Sequence, residues 1–243
     1  ESKTKHMDTF FSRDLEGYWE ERGSNNLAGR VHTVEIDFDN NMIYCGSSGG
    51  NIWKGSLSGE GWVSVNDYMQ INNIKSIRLV PNGSIYDRLL ICGGNKFFYS
   101  DNDGFTLNQS SGLEDVESWG EIYRSVVTYF DQQNEPIVYV LTKEWSNGSV
   151  IKIFRSDNLG VSFNEIYSTP LQSENAYDIW TDRYELSDLF FLENGNLYTI
   201  SPSNQITSIG SAGPSNQGEN ILTGGKDNAN GGLYHFHAKI GDR

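Results

Sequence analysis

A short motif that occurs twice constrains this chain more than any other feature. Ser100-Asp101-Asn102-Asp103-Gly104-Phe105-Thr106-Leu107 and Ser156-Asp157-Asn158-Leu159-Gly160-Val161-Ser162-Phe163 both read Ser-x-Asn-x-Gly-x-(Thr/Ser)-(Leu/Phe), 56 residues apart (156 − 100). Each follows a short apolar run with strand character. The residue types dictate a turn between two strands. An Asn amide folds back on the backbone, Gly supplies a left-handed φ, and Ser and Thr hydroxyls satisfy turn amides. The last apolar residue tucks under the turn. Two copies in matching flanks point to a repeat architecture.

The rest of the chain agrees with many short strands. Its 243 residues include 26 Gly, are 13% aromatic and only 37% hydrophobic, and show no sustained helical periodicity, so an all-β fold is expected. Lys and Arg total 18 against 32 Asp and Glu, a net charge of −14 that disfavours nucleic acid and anionic membrane surfaces as partners. That charge reads first as solubility of a secreted protein and, more sharply, as affinity for calcium or a basic ligand. No apolar run is long enough to span a membrane. No signal-peptide pattern opens the sequence, so a cytosolic or processed chain is expected. Cys45 and Cys92 sit in matching contexts (Met42–Gly46 and Leu89–Gly93), too far apart in a repeat for a disulfide, and read as buried thiols.

Along the chain, residues 1–17 form a polar arm and 18–243 divide into units at about 29–68, 72–113, 119–168, 176–210 and 219–243. The first unit's turn, Ser56–Trp62, and the fourth's, Ser201-Pro202-Ser203-Asn204, lack the Ser/Asn pair. The two motif copies resemble the Asp-box (BNR) repeat of sialidase-like and sortilin-like β-propellers, with Asn where that family usually has Asp. The succession Trp19, Gly29-Arg30-Val31, Ile43-Tyr44-Cys45-Gly46-Ser47, Gly49-Gly50-Asn51-Ile52-Trp53-Lys54 and Gly61-Trp62 resembles the first blade of large secreted proteins of Bacteroidetes-type bacteria. It is also similar to openings of sortilin-like propellers and two-propeller xyloglucanases. The resemblance implies a β-propeller of four-stranded blades at the cell surface or outside the cell. Four blades and part of a fifth are expected. Either the propeller is incomplete, completed by the rest of a longer chain or by a partner subunit, or the strand at Trp19–Arg22 closes a small five-bladed ring.

Propeller geometry directs the search for a site. Taking Val34, Ile77, Val126 and Trp180 as one repeated core position places His32, Lys75, Arg124 and Asp178 at one step of successive inner strands, a mixed-charge funnel for a glycan or peptide. Trp119, Trp145 and Trp180, with Tyr123 and Tyr177, read as loop aromatics able to stack on sugar rings or anchor a protein. Asp178 and Glu121, with Asp37, are the carboxylates available to a glycosidase mechanism. Arg30, Arg78 and Arg124 fall out of step with one another and lack the Arg-Ile-Pro signature of sialidases. Asp101-Asn102-Asp103-Gly104 imitates the start of a calcium loop, but Gly112 stands where an EF-hand needs Glu. Surface calcium on Asp37, Asp39 or the box acids is the one cofactor expectation. His235 and His237 share one side of a strand without a third zinc ligand. The expected function is non-catalytic binding of glycan or protein. Its alternatives are a glycoside hydrolase and a structural docking platform.

Overall fold

The computed structural model describes residues 30–69, 71–129, 136–145, 148–171, 176–182, 188–211, 221–227 and 233–239. The opening strand expected at Trp19–Arg22 lies outside them. Strands β1 (Val31–Asp37), β2 (Met42–Ser47), β3 (Ile52–Ser56) and β4 (Val63–Ser64) form the first sheet in sequence order. The second comprises β5 (Ile74–Val80), β6 (Arg88–Gly93), β7 (Lys96–Ser100) and β8 (Asn108–Gln109). After helix α1 (Glu114–Trp119) comes the third, with β9 (Gly120–Tyr129), β10 (Pro136–Glu144), β11 (Val150–Ser156) and β12 (Asn164–Pro170). The fourth holds β13 (Tyr177–Trp180), β14 (Leu189–Glu193), β15 (Asn196–Ile200) and β16 (Ile206–Ser211), and β17 (Ile221–Asp227) pairs with β18 (Leu233–Lys239). All neighbours within these sheets are antiparallel.

The sheets stack face to face in chain order, and the second strand of each shows why. Leu89 and Ile91 of β6 join Tyr44, Ile52 and Ile77 in a cluster between the first two sheets. Their alternates Leu90 and Cys92 join Ile122, Val138, Val140 and Phe154 between the second and third. Leu141 and Tyr139 then meet Ile179, Leu189 and Phe191, and Phe190 and Leu192 meet Leu222. A strand buried on both faces must be apolar at every position, so these runs do not alternate. The first sheet is the exception. Thr33 and Glu35 face the second sheet, leaving Val34, Ile36, Trp53 and Val63 exposed on the other side.

Both Ser-x-Asn turns have the same internal wiring. Ser100 Oγ donates to Asn102 Oδ1 (2.9 Å) and accepts the Gly104 N–H (2.9 Å), while Asn102 Oδ1 accepts the Thr106 N–H (2.8 Å). Ser156 Oγ, Asn158 Oδ1, Gly160 and Ser162 repeat this at 2.8, 2.9 and 2.9 Å. The turn takes two consecutive left-handed residues, Asp103 (φ 58°) and Gly104 (φ 83°), matched by Leu159 (φ 56°) and Gly160 (φ 80°). At Gly104 a Cβ would lie 2.0 Å from Val65 Cγ1, so only glycine fits between turn and neighbouring sheet.

The first and fourth turns keep more of this wiring than their sequences announce. Ser56 and Ser201 accept the N–H groups of Glu60 (3.1 Å) and Gln205 (3.1 Å) and meet Ser58 Oγ (2.7 Å) and Ser203 Oγ (3.0 Å). Ser-x-Ser therefore stands in for Ser-x-Asn, because the anchoring acceptor is the first serine.

The all-β expectation holds: helix α1, six residues with Val116 buried, is the one helix among the described residues. One expectation is corrected. Cys92 is fully buried, its thiol pushed up to about 12 by desolvation, whereas Cys45 is only half-buried because it lies on the exposed side of the first sheet. Both cysteines are free.

Ser156→Ala removes a fully buried hydroxyl that serves two turn groups, and is expected to lower stability by about 1–3 kcal/mol in urea unfolding. Ser203→Asn, which rebuilds the fuller motif, should change it by less than about 0.5 kcal/mol. Equal losses in the two variants would contradict the anchoring role of the first serine.

Candidate functional site

The inner strands β1, β5 and β9 each begin with a bulge. Pairing skips His32 between Val31 and Thr33, Lys75 between Ile74 and Ser76, and Tyr123 between Ile122 and Arg124. A bulge re-aims its extra side chain, here at the end of the sheets where the inner strands start. His32 and Lys75 thus share one structural step, but its third occupant is Tyr123, and Arg124 falls one residue later. Only strand pairing reveals this shift.

From the bulges a strip of cations and rings runs to the rim of the third sheet. Lys75 Nζ donates to the Ile122 carbonyl (2.8 Å), pairs with Glu121 (3.2 Å) and lies 5.5 Å from the Tyr123 ring centroid. Lys143 Nζ lies 5.9 Å from the same ring and 4.9 Å from that of Trp145. The backbone N–H of Trp145 donates to the Trp119 carbonyl (2.8 Å), which ties the two residues together at the rim. Trp119 is 67% exposed and Trp145 46%. Beneath them Glu144 is buried, its Oε2 paired with Lys152 (3.0 Å) and its Oε1 without a hydrogen-bond partner among the described residues.

Arg124 and Asp178 belong to a different assembly. Arg124 Nη1 donates to Asp178 Oδ2 (2.5 Å) and to the Leu222 carbonyl (3.0 Å). The Leu222 N–H donates to the same carboxylate oxygen (2.6 Å) and the Ile179 N–H to Oδ1 (2.9 Å). One ion pair thus clasps three successive inner strands. Burial pushes the Asp178 carboxyl above its ordinary 3.8, outweighing the downward pull of Arg124 and the two N–H donors.

The expected funnel is therefore divided. Lys75 is tied to the third sheet, Arg124 and Asp178 to each other, and the buried Nε2 of His32 makes no hydrogen bond among the described residues. Trp180 and Tyr177, expected among exposed aromatics, turn inward: Trp180 packs on Phe190 (5.7 Å) and the Tyr177 hydroxyl donates to the Pro170 carbonyl (3.3 Å). Their strand is buried on both faces, so neither can be a loop aromatic. Glu121 answers Lys75. Arg78 lies 3.8 Å from Glu35 while Arg124 is held by Asp178, so the arginines do not converge.

The box acids diverge as well. Asp101 is gripped by Arg88 (2.6 Å), which holds its carboxyl below the usual range, and Asp103 accepts the Tyr44 hydroxyl (2.6 Å) and pairs with Lys54. Among the described residues no three His, Cys, Asp or Glu side chains group so as to hold a metal ion. The side chains of His235 and His237 lie outside the described residues. Lys143 escaped sequence reasoning because a lysine at the end of the apolar run Ile137–Leu141 reads as a solvated strand terminus.

Two solved structures share this architecture. A GH74 enzyme of Niastella koreensis superposes with a TM-score of 0.52 at 16% identity, over 71% of this chain and 28% of that one. The Dos1 propeller gives 0.53 at 13% identity, over 82% and 54%. This fold is a β-propeller. The sheets are its blades, and at such identities the likeness is one of fold alone. The chain spans about a quarter and about half the length of those two structures. No family model and no curated protein matches the sequence.

Asp178→Ala strands Arg124 and the Leu222 N–H and is expected to cost about 3 kcal/mol in stability. Asp178→Asn, which still accepts that N–H and buries no charge, should cost much less. Because the folded chain holds the Asp178 proton above 3.8, where the unfolded chain releases it, its contribution to stability falls as pH rises from 3.8 through the raised value. The Asn variant should lose that component of the pH slope in urea titrations. An unchanged slope would contradict the assignment.

Proposed function

We propose that this chain is a non-catalytic recognition propeller that binds glycan through the Trp119–Trp145 platform. One observation carries the reading: Trp119 and Trp145, joined by a backbone hydrogen bond at one end of the third blade, both stand largely exposed. Exposed aromatic faces stack on the apolar faces of sugar rings, and a platform fixed by strand pairing loses little freedom on binding. The matched wiring of the two Ser-x-Asn turns supports membership of the Asp-box (BNR) propellers, and the strongly acidic composition fits a secreted or cell-surface setting. The exposed apolar side of the first blade supports a further sheet covering it, from the remainder of a longer chain or from a partner subunit.

A glycoside-hydrolase reading finds less support. An acid catalyst must reach the glycosidic oxygen, whereas both oxygens of Asp178 are engaged within the protein and Glu121 is paired with Lys75.

Trp119→Ala and Trp145→Ala are each expected to weaken binding of a retained polysaccharide by about tenfold or more, with the unfolding midpoint unchanged. The measurement is affinity electrophoresis against a panel of soluble plant and microbial polysaccharides, followed by tryptophan fluorescence titration. Retention that survives both substitutions, or no retention on the panel, would overturn the glycan reading.

A further inference from the structure

The opposite end of the first two blades carries a second unclaimed surface. Strands β1 and β5 lie level with each other: the Ile77 N–H donates to Thr33 Oγ1 (3.3 Å) and the Leu79 N–H to Glu35 Oε1 (2.9 Å). Continuing that step sets Asp37 level with Pro81, where the loop 81–87 begins. The same loop ends at Asp87, beside Arg88, which pairs with Val80. The β1–β2 turn and the β5–β6 loop therefore project side by side. At their tips Phe38 is 70% exposed, Ile85 95% and Tyr86 52%. Asp37, Asp39 and Asp87 stand among them, and partial burial, with like charge from Asp37 and Asp39 adding to it, raises the Asp87 carboxyl above its ordinary value.

The chain's own nearby cations are committed elsewhere. Lys54 is bound to Asp103, Arg78 lies against Glu35, and Arg88 joins Asp101 to the carbonyls of Asn158 (3.1 Å) and Leu159 (3.2 Å). Among the described residues Asp37, Asp39 and Asp87 form no ion pair. Both Asp37 oxygens accept from Asn40 (3.0 and 2.8 Å), an arrangement of a turn cap more than of a metal ligand. A bare ion would also leave Phe38, Ile85 and Tyr86 in water. Nucleic acid and anionic lipid are repelled, and a neutral glycan answers neither the charge nor the apolar tips.

We infer that the Phe38–Ile85–Tyr86 tips and the Asp37, Asp39 and Asp87 carboxylates form a docking surface for a basic peptide segment of a partner protein, with lysine or arginine flanked by large apolar side chains. The carboxylates select the cations and steer their approach, while the tips bury apolar surface around them. The surface is independent of the tryptophan platform, which lies at the other end of the blades.

The test is fluorescence anisotropy with a labelled peptide carrying lysine and leucine at alternate positions, and with its glutamate-for-lysine counterpart. The wild-type chain binds the first and not the second, and added salt weakens binding. Asp37→Asn/Asp39→Asn/Asp87→Asn, close in shape and preserving the Asn40 turn, weakens it by about tenfold or more. Phe38→Ser/Ile85→Ser does the same at unchanged charge. Asp67→Asn/Asp115→Asn/Glu117→Gln, which removes equal charge elsewhere, changes it less than about twofold. Trp119→Ala/Trp145→Ala leaves peptide binding intact, so this proposal and the glycan reading fail separately. Circular dichroism confirms that each variant is folded. Equal weakening by the two charge triples would reduce the effect to net charge and overturn the proposal. So would retention by the apolar-tip variant, absence of wild-type binding, or saturable calcium uptake that displaces the peptide and requires Asp37, Asp39 and Asp87.

Discussion

Every blade that supplies the core is apolar on both faces, and this governs the architecture. A sheet that exposes Leu89 and Ile91 on one side and Leu90 and Cys92 on the other cannot exist alone in water. Each side must meet another sheet at the spacing where side chains interdigitate, about 10 Å. The stack is thus built from separate interlayer cores in series, and each blade is a condition for the stability of its neighbours. The first blade shows the consequence at the end of a series: with no described sheet beyond it, Val34, Ile36 and Trp53 remain in water.

Apolar faces alone do not fix the step between blades, and polar contacts supply it. On the channel side Glu35 and Asp178 capture N–H groups of β5 and β17, and Ser76 meets Ser125 at 2.5 Å. On the turn side, cations cross from one blade to the turn of the next: Lys54 to Asp103, Arg88 to the carbonyls of Asn158 and Leu159, and Arg155 to Pro202 and Asn204. The Ser-x-Asn turns therefore have two roles. They reverse the chain, and their rigid carbonyls and carboxylates give the preceding blade something to grip.

The two ends of the blades differ in chemistry for reasons rooted in this plan. Where the inner strands begin, bulges at Lys75 and Tyr123 and the edge of the third blade gather cations and rings around Trp119 and Trp145. Where they end, the turns of blades one and two gather carboxylates and exposed apolar tips. Most cations on that side are consumed in holding blades together, so the acidic surplus of the composition surfaces there as an unanswered charge.

What the sequence by itself determined is the local chemistry: the turns centred on Ser100 and Ser156, the double-faced strands, and hence the all-β repeat. Those features rest on contacts spanning four residues or on the period of a single strand, so they can be read along the chain. Even so, the shared wiring of the Ser56 and Ser201 turns is not legible along the chain, since a serine replacing asparagine keeps the anchoring acceptor while erasing the motif. Tertiary structure alone decided the rest. A bulge exists only relative to a partner strand, which is why Tyr123 rather than Arg124 joins His32 and Lys75. Tyr177 is buried and Trp180 partly so because sheets cover both faces of β13, while the backbones of Trp119 and Trp145 are joined because strand pairing brings Gly120 opposite Glu144. Residues distant in sequence acquire a common surface only when the register between strands is set, and that register is a property of the packed sheets, not of any one segment.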